Sequence, residues 1–324
     1  MTGRIYVEPV GGLTNRLMAL LSVQRIARYY ERPFGVVWRP SSECNAALEN
    51  LVDSDLHNID HSALGPDVDR RIIGFGGQGW TTSPIITRPT DPNRDILITT
   101  HGVLAHEGEE RNIHFAPTGP IVFDLARYHR ALRPATRLLA AANAVEFERH
   151  RTISLHVRRP YSQSVSLADG MHDAEQQTYG RLPDDFYVEL VNRLGAAQPG
   201  LQFLLCTNSP STEEYLKTHC KPNLISRSKI TPEDTSLTSS AEEAMIDTLL
   251  LSRTAGVIRH HMSNFALLSS LTLFQPNLLV IPEGDGSDAR VALSEYRENA
   301  TISFDVDGGI YGRFISSDYN ILLR

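Results

Sequence analysis

Residues 152–160 read TISLHVRRP. The run from Thr152 to Val157 is β-branched and apolar enough for a buried strand. Pro160 ends it, because proline has no N–H to donate to a ladder. Arg158 and Arg159 therefore stand at the carboxyl end of a buried strand, with His156 just inside it. In an open α/β sheet, ligands bind beyond the carboxyl ends of the strands. An arginine fork there suits a diphosphate, since guanidinium groups give parallel charge-assisted hydrogen bonds. Two surface arginines salt-bridged to acids would have the same spacing, so the rest of the chain has to choose.

Downstream the alternation is regular. A polar loop over 161–182 leads to a helix over 183–194. A strand over 201–206 ends at Thr207-Asn208-Ser209-Pro210, with a helix over 211–219 behind it. A short strand covers 223–226. Ser240-Ala241-Glu242-Glu243 opens a helix through 252, with acids in its first turn. The strand GVIRH, 256–260, ends at His261-Met262-Ser263-Asn264 and feeds a helix over 265–271, then a strand over 277–281. Repeated strand–helix units predict a parallel sheet with right-handed crossovers. The loops after 157, 207 and 260 then gather on one edge. Ser263 opens a helix, so its hydroxyl and the free N–H groups behind it can face an anion; a plain N-cap is the alternative. For Thr207-Asn208-Ser209 the alternative is a capped turn.

Upstream, 4–10 reads as a strand, Gly11-Gly12 breaks it, and 13–30 has helical spacing of leucines. The turn bares backbone N–H groups, and Asn15 lies in the helix's first turn. GGLTNR is not the dinucleotide fingerprint GxGxxG, and a tight packing turn is the alternative. Strands follow over 34–38 and 95–100. Residues 57–93, including GFGGQGW at 74–80, predict short strands and long loops that shape an acceptor cleft. Helices over 123–133 and 134–147 precede the central strand. These spans divide the chain into an α/β domain, 1–148, a second, Rossmann-like α/β domain, 149–300, and a tail, 301–324, packing near the junction.

A net charge of −7 in 324 residues argues against non-specific nucleic-acid binding. The three cysteines, Cys44, Cys206 and Cys220, form no disulfide framework and no spaced zinc set, which points to a reducing, cytoplasmic setting. No signal peptide is visible at the start, and no apolar run approaches the roughly 18 residues of a membrane span. A peripheral membrane contact stays open. His106, Glu107, Glu109 and Glu110 have no standard metal spacing and read as a solvated loop. The Asp-X-Asp triplets at 53–55, 67–69 and 305–307 stand at no core strand end and read as solvated too.

HVRR after a strand, GGLTNR after the first strand, and AMIDTLLLSRTAGVIRHHMSNFALLSSL resemble the motifs of a fucosyltransferase superfamily. It includes nodulation fucosyltransferases, α-1,6-fucosyltransferases and protein O-fucosyltransferases. The resemblance implies a GT-B-like α/β fold, with two Rossmann-like domains facing each other across a cleft. It implies that the first, 1–148, is the acceptor side and the second, 149–300, binds the nucleotide sugar. It implies GDP-fucose as donor, inversion at the anomeric carbon, no metal or other cofactor, and a glycan or glycoconjugate hydroxyl as acceptor. By position it puts Arg158 on the β-phosphate as the catalytic residue, with Arg159 beside it and His156 bordering the nucleotide. Asp247 matches an aspartate that pairs with guanine. Ser263 matches a phosphate-binding serine, with Asn264 and Phe265 completing its loop. Thr207, Asn208, Gly11, Gly12 and Asn15 fill out the donor-binding set. The chain departs from the pattern where Thr207-Asn208-Ser209 replaces Thr-Asp-Asp and Pro160-Tyr161 replaces a polar residue and Asp. The catalytic base is therefore open among Asp169, Asp173, Glu175 and Glu8. Two other readings stay in view: a nucleotide-sugar or glycan-binding protein without chemistry, and a glycosyltransferase using another nucleotide sugar.

Overall fold

The computed structural model describes residues 2–53, 55–73, 85–107, 109, 119–160, 182–227, 241–261, 263–283, 288–295 and 303–305. They divide into two compact units. One comprises Met1–Leu138 with Ser240–Met245, the other Leu139–Ser239 with Ile246–Arg324.

The first unit is built on β1 (Ile5–Pro9), α1 (Leu13–Tyr29), β2 (Phe34–Val36), α2 (Leu48–Leu51), β3 (Asp69–Ile73), β4 (Ile85–Ile86), β5 (Ile96–Thr100), β6 (Ala105–His106), α3 (Gly119–Ala131) and the start of α4 (Thr136–Asn143). Its main sheet has the order β2-β1-β5-β3, parallel throughout. All five residues of β1 are buried, as a central strand between two neighbours requires. The chain leaves β1 through Gly11 at φ +84°, a left-handed turn that suits glycine, and α1 starts at once. The leucines of α1 are buried as its spacing predicts, but Arg16 and Arg25 are buried with them. Arg16 donates to the Gly11 carbonyl at 2.7 Å, the Arg39 carbonyl at 2.6 Å and Ser41 Oγ at 2.7 Å. It also lies over the Trp38 ring, 5.2 Å from its centroid. One guanidinium thus ties the loop after β1 to the loop after β2. Arg25 is paired with Glu109 and donates to the Leu104 carbonyl at 2.9 Å. This corrects the solvated loop expected there: Glu109 is the counter-ion of a buried arginine.

The second unit contains β7 (Thr152–Val157), α5 (Asp184–Ala197), β8 (Gln202–Thr207), α6 (Pro210–His219), β9 (Leu224–Ser226), α7 (Ala241–Leu251, whose first turn belongs to the first unit), β10 (Gly256–His260), α8 (Asn264–Leu271), β11 (Asn277–Glu283), β12 (Asp288–Glu295) and β13 (Ser303–Asp305). The sheet order is β13-β12-β11-β10-β7-β8-β9. From β9 to β11 every pairing is parallel, and β12 and β13 then add antiparallel. The antiparallel finish is absent from the sequence reading. The parallel part is a doubly wound order: from β7 the chain moves outward through β8 and β9, then returns to place β10 on the other side of β7. The switch point of the sheet therefore lies between β7 and β10, and Arg158 and Ser263 follow those two strands.

Strand periodicity decides what each face of β7 meets. Ile153, Leu155 and Val157 join the core formed with Tyr187, Leu190, Val191 and Leu194 of α5. Ser154 points the other way, within 3.0 Å of the Thr254 hydroxyl. His156 follows it and stacks on Phe265 of α8, ring centroids 5.0 Å apart. Among the described residues no helix is long and apolar enough to cross a membrane. The GFGGQGW segment and the polar loop with Asp169, Asp173 and Glu175 lie outside the described residues, as do Glu110, Tyr161 and all of the tail but 303–305.

Candidate nucleotide-sugar site

The carboxyl ends of β10, β7 and β8 stand side by side, and the three loops gathered from the sequence share that edge. His156 is 8% exposed, and its Nδ1 lies 3.2 Å from Ser263 Oγ. Ser263 caps α8, accepting from the Ala266 N–H at 3.3 Å. Phe265 covers the other face of the imidazole. The loop after β7 and the start of α8 are thus joined by a hydrogen bond and a ring stack. Asn264 is the first residue of α8, whose first N–H groups have no partner inside the helix and carry its partial positive charge. Met262 lies outside the described residues.

The two arginines part company. Arg159 continues the α5 face of β7. Its guanidinium pairs with Asp184 and donates to the Leu182 carbonyl at 2.6 Å and to Thr212 Oγ1 at 3.2 Å. It also lies over Tyr187, 5.6 Å from the ring centroid. Arg159 thus holds the loop after β7 to α5 and α6. If the alternation of β7 is continued past Val157, Arg158 falls on the other face, the one His156 shares with α8.

Asn208 holds the same junction. It accepts from the Arg159 N–H at 2.7 Å and donates to the Arg159 carbonyl at 2.8 Å. Thr207 is buried and accepts from the Ser209 N–H at 3.2 Å, while Ser209 caps α6. These residues form the capped turn that the sequence left as an alternative, and they lock the tips of β7 and β8 together. Asp247, on α7, is buried and ion-paired with Arg227 at 3.1 Å. Arg227 follows β9, so it too stands at the carboxyl end of a strand of this sheet.

Arg259 was missed. It lies inside β10, 2% exposed, in register with His156 of β7. It donates to Asn277 Oδ1 at 2.8 Å and to the carbonyls of His260, His261 and Ser263 at 3.3, 3.0 and 3.4 Å. Carbonyls that would repel an anion are thereby drawn onto a buried cation, and the loop into α8 is fixed from beneath. A single charge inside an apolar strand was the available signal. Burial, helped by the neighbouring His261 and Arg259, pushes His260 down to about 3; burial also lowers His261. Neither carries charge at neutral pH.

That has a consequence for stability. Burial also pushes His129 of α3 down to about 4. In the unfolded chain both His260 and His129 take up protons below about pH 6.5, while the folded protein resists until near pH 3 to 4. The contribution of these two histidines to stability is therefore level above pH 6.5 and falls as pH drops below it, by about 1.4 kcal/mol per pH unit for each. Urea midpoints at pH 7.5, 6 and 5 should decrease in that order; equal midpoints would contradict it.

In the first unit, Gly11, Gly12 and Asn15 occupy the turn after β1 and the first turn of α1. They belong to a unit separate from the residues above. The Asn15 carbonyl accepts from the Gly102 N–H at 3.1 Å, and the Gly11 carbonyl is held by Arg16. Glu8 is buried, paired with Arg39, and accepts from Thr99 Oγ1 at 2.8 Å. Asp53 accepts from the Thr136 N–H and hydroxyl at 3.1 and 3.0 Å, and Asp69 pairs with Arg71 at 2.8 Å. Among the described residues no three His, Cys, Asp or Glu side chains are grouped to hold a metal ion.

No family model and no curated protein matches the chain. Solved structures do. An arginine-to-lysine mutant of Arabidopsis thaliana FUT1 in complex with GDP is similar at a TM-score of 0.57 and 12% identity, over 90% of this chain and 74% of that one. The fucosyltransferase NodZ from Bradyrhizobium is similar at 0.55 and 15%, over 92% and 100%. NodZ α-1,6-fucosyltransferase soaked with GDP-fucose is similar at 0.56 and 14%, over the same shares. At such identities the likeness concerns the fold: the chain has the GT-B-type α/β fold of these fucosyltransferases.

Proposed function

We propose that the chain is an inverting, metal-independent glycosyltransferase that moves fucose from GDP-fucose to a hydroxyl of a glycan or glycoconjugate. The observation that carries this reading is the contact between His156 and Ser263 at the switch point of the second sheet. It brings the Arg158 loop and the amino end of α8 to one place, where an open α/β sheet binds its ligand. The fold shared with proteins solved with GDP and GDP-fucose supports the donor.

The chemistry follows from charge. The acceptor oxygen attacks C1 of the sugar from the face opposite the diphosphate, and the C1–O bond to the diphosphate breaks. Positive charge grows on the sugar ring and negative charge on the departing oxygen. Arg158 and the first N–H groups of α8, stiffened by Arg259, stabilise the leaving diphosphate. Groups held in place before the charge appears need no reorganisation as it develops. The acceptor proton passes to a carboxylate. Asp169, Asp173, Glu175 and Glu8 are the candidates for that base; Glu8 is buried, paired with Arg39, and accepts from Thr99 Oγ1. Gly11, Gly12 and Asn15 are assigned to the donor's surroundings by resemblance alone.

A donor-turnover assay with GDP-fucose and a panel of glycan acceptors tests the reading, run with and without EDTA. Fucose transfer should proceed undiminished in excess EDTA, because cationic and N–H groups of the chain replace a metal. Abolished transfer in EDTA would contradict metal independence. GDP binding by calorimetry with no turnover on any acceptor would favour a binding protein, a reading to which the absence of acids at Thr207-Asn208-Ser209 also points. Equal affinity for GDP and UDP would favour another nucleotide sugar.

A further inference from the structure

The ion pair between Arg227 and Asp247 lies at the same sheet edge as the proposed diphosphate clamp, and the sequence reading did not include Arg227. Both side chains are only 10% exposed, and Arg227 Nη2 reaches Asp247 Oδ1 at 3.1 Å. Arg227 immediately follows Ser226, the last residue of β9, and Asp247 sits on α7, the helix that leads toward β10. A carboxylate this far from water ionises only beside a positive charge or strong donors. Guanine offers an aligned N1–H and 2-amino group, which an ionised carboxylate can accept. A carboxylate that has taken up a proton loses much of that capacity. Recognition therefore depends on what keeps Asp247 charged and fixes its plane.

We propose that Arg227 is a positioning residue for base recognition: it holds Asp247 ionised and oriented toward the N1–H and 2-amino edge of guanine. This rests on the nucleotide-sugar reading above. The pair then sets the preference for a guanine nucleotide, while Arg158 and α8 hold the diphosphate whatever the base.

The test uses GDP and IDP, which differ only by the 2-amino group, titrated calorimetrically into the full chain and its R227Q, R227K, D247N and R227Q/D247N variants. The unaltered protein should prefer GDP over IDP roughly ten-fold, the value of one hydrogen bond to a charged group. R227Q should reduce that ratio to about two-fold or less, and R227K should restore part of it. The double variant should discriminate no worse than either single one, as expected of residues acting as a unit. If R227Q does not fold, D247N and R227K carry the same comparison. A mere packing role for Arg227 would weaken GDP and IDP alike and keep their ratio; that result overturns the inference and leaves the function standing. Failure of the unaltered protein to bind GDP at all would overturn both.

Discussion

Arg158→Ala is expected to fold normally and to transfer sugar at a rate lower by several powers of ten. Its guanidinium is the charge we assign to the departing diphosphate. Loss of one prearranged donor to a developing oxyanion costs about 3–4 kcal/mol, and a full positive charge places the expectation at about 3–5 kcal/mol. The decisive contrast is between rate and binding. The ground-state diphosphate is already charged, so GDP affinity should fall as well, but by less than kcat/KM. Arg158→Lys keeps the charge and loses the planar fork, and should recover only part of the rate. Steady-state kinetics with the nucleotide sugar, beside calorimetry with GDP, settles it. An alanine variant turning over at the parent rate would remove Arg158 from the chemistry and take the mechanism with it.

Arg159→Ala should do the reverse: it should destabilise the second unit by about 2–3 kcal/mol and leave GDP affinity nearly unchanged at temperatures where the protein stays folded. The substitution strands the Asp184 carboxylate, removes a donor from the Leu182 carbonyl and uncovers Tyr187. Breaking a wholly buried ion pair costs about 3–5 kcal/mol, and the partial exposure here, 15% and 26% for the two side chains, lowers the figure. Arg159→Lys should rescue poorly, since one ammonium cannot reach the carboxylate, the carbonyl and Thr212 together. Urea denaturation followed by GDP titration checks both halves. A variant of parental stability that no longer binds GDP would restore the paired-arginine clamp.

These adjacent arginines also show what the sequence made legible and what it hid. The strand at 152–157, the helix after Gly11-Gly12 and the parallel alternation through β11 follow from apolar periodicity and glycine punctuation, and all are present. The partners of Arg159 on α5 and α6 are not visible in that pattern, since Asp184 and Thr212 lie 25 and 53 positions away. Buried arginines are another matter. Arg16 and Arg25 lie among apolar side chains because carbonyls and an acid from distant segments meet them, and Arg259 because Asn277 of the next strand and the carbonyls of the loop after β10 do. Hydrophobic pattern counts such residues as polar and cannot foresee partners that only the fold supplies. The Arg227–Asp247 pair joins residues twenty positions apart, with no sequence pattern linking them. The β12 strand alternates, with Ala289, Val291 and Leu293 on the core side, but two of its eight residues are acids and one is arginine, and it is absent from the sequence reading.

Among the described residues, the seven-stranded sheet ends on each side with a strand of three residues, Leu224–Ser226 on one flank and Ser303–Asp305 on the other. Open flanks of a sheet are where foreign chains add themselves by continuing the ladder, and a long straight flank invites it. Here a visiting strand would find only a few main-chain groups on either side before the register ran out. Short flanks of this kind offer little of the ladder that edge-to-edge association needs, which matters for a sheet whose inner strands are rich in Val and Leu.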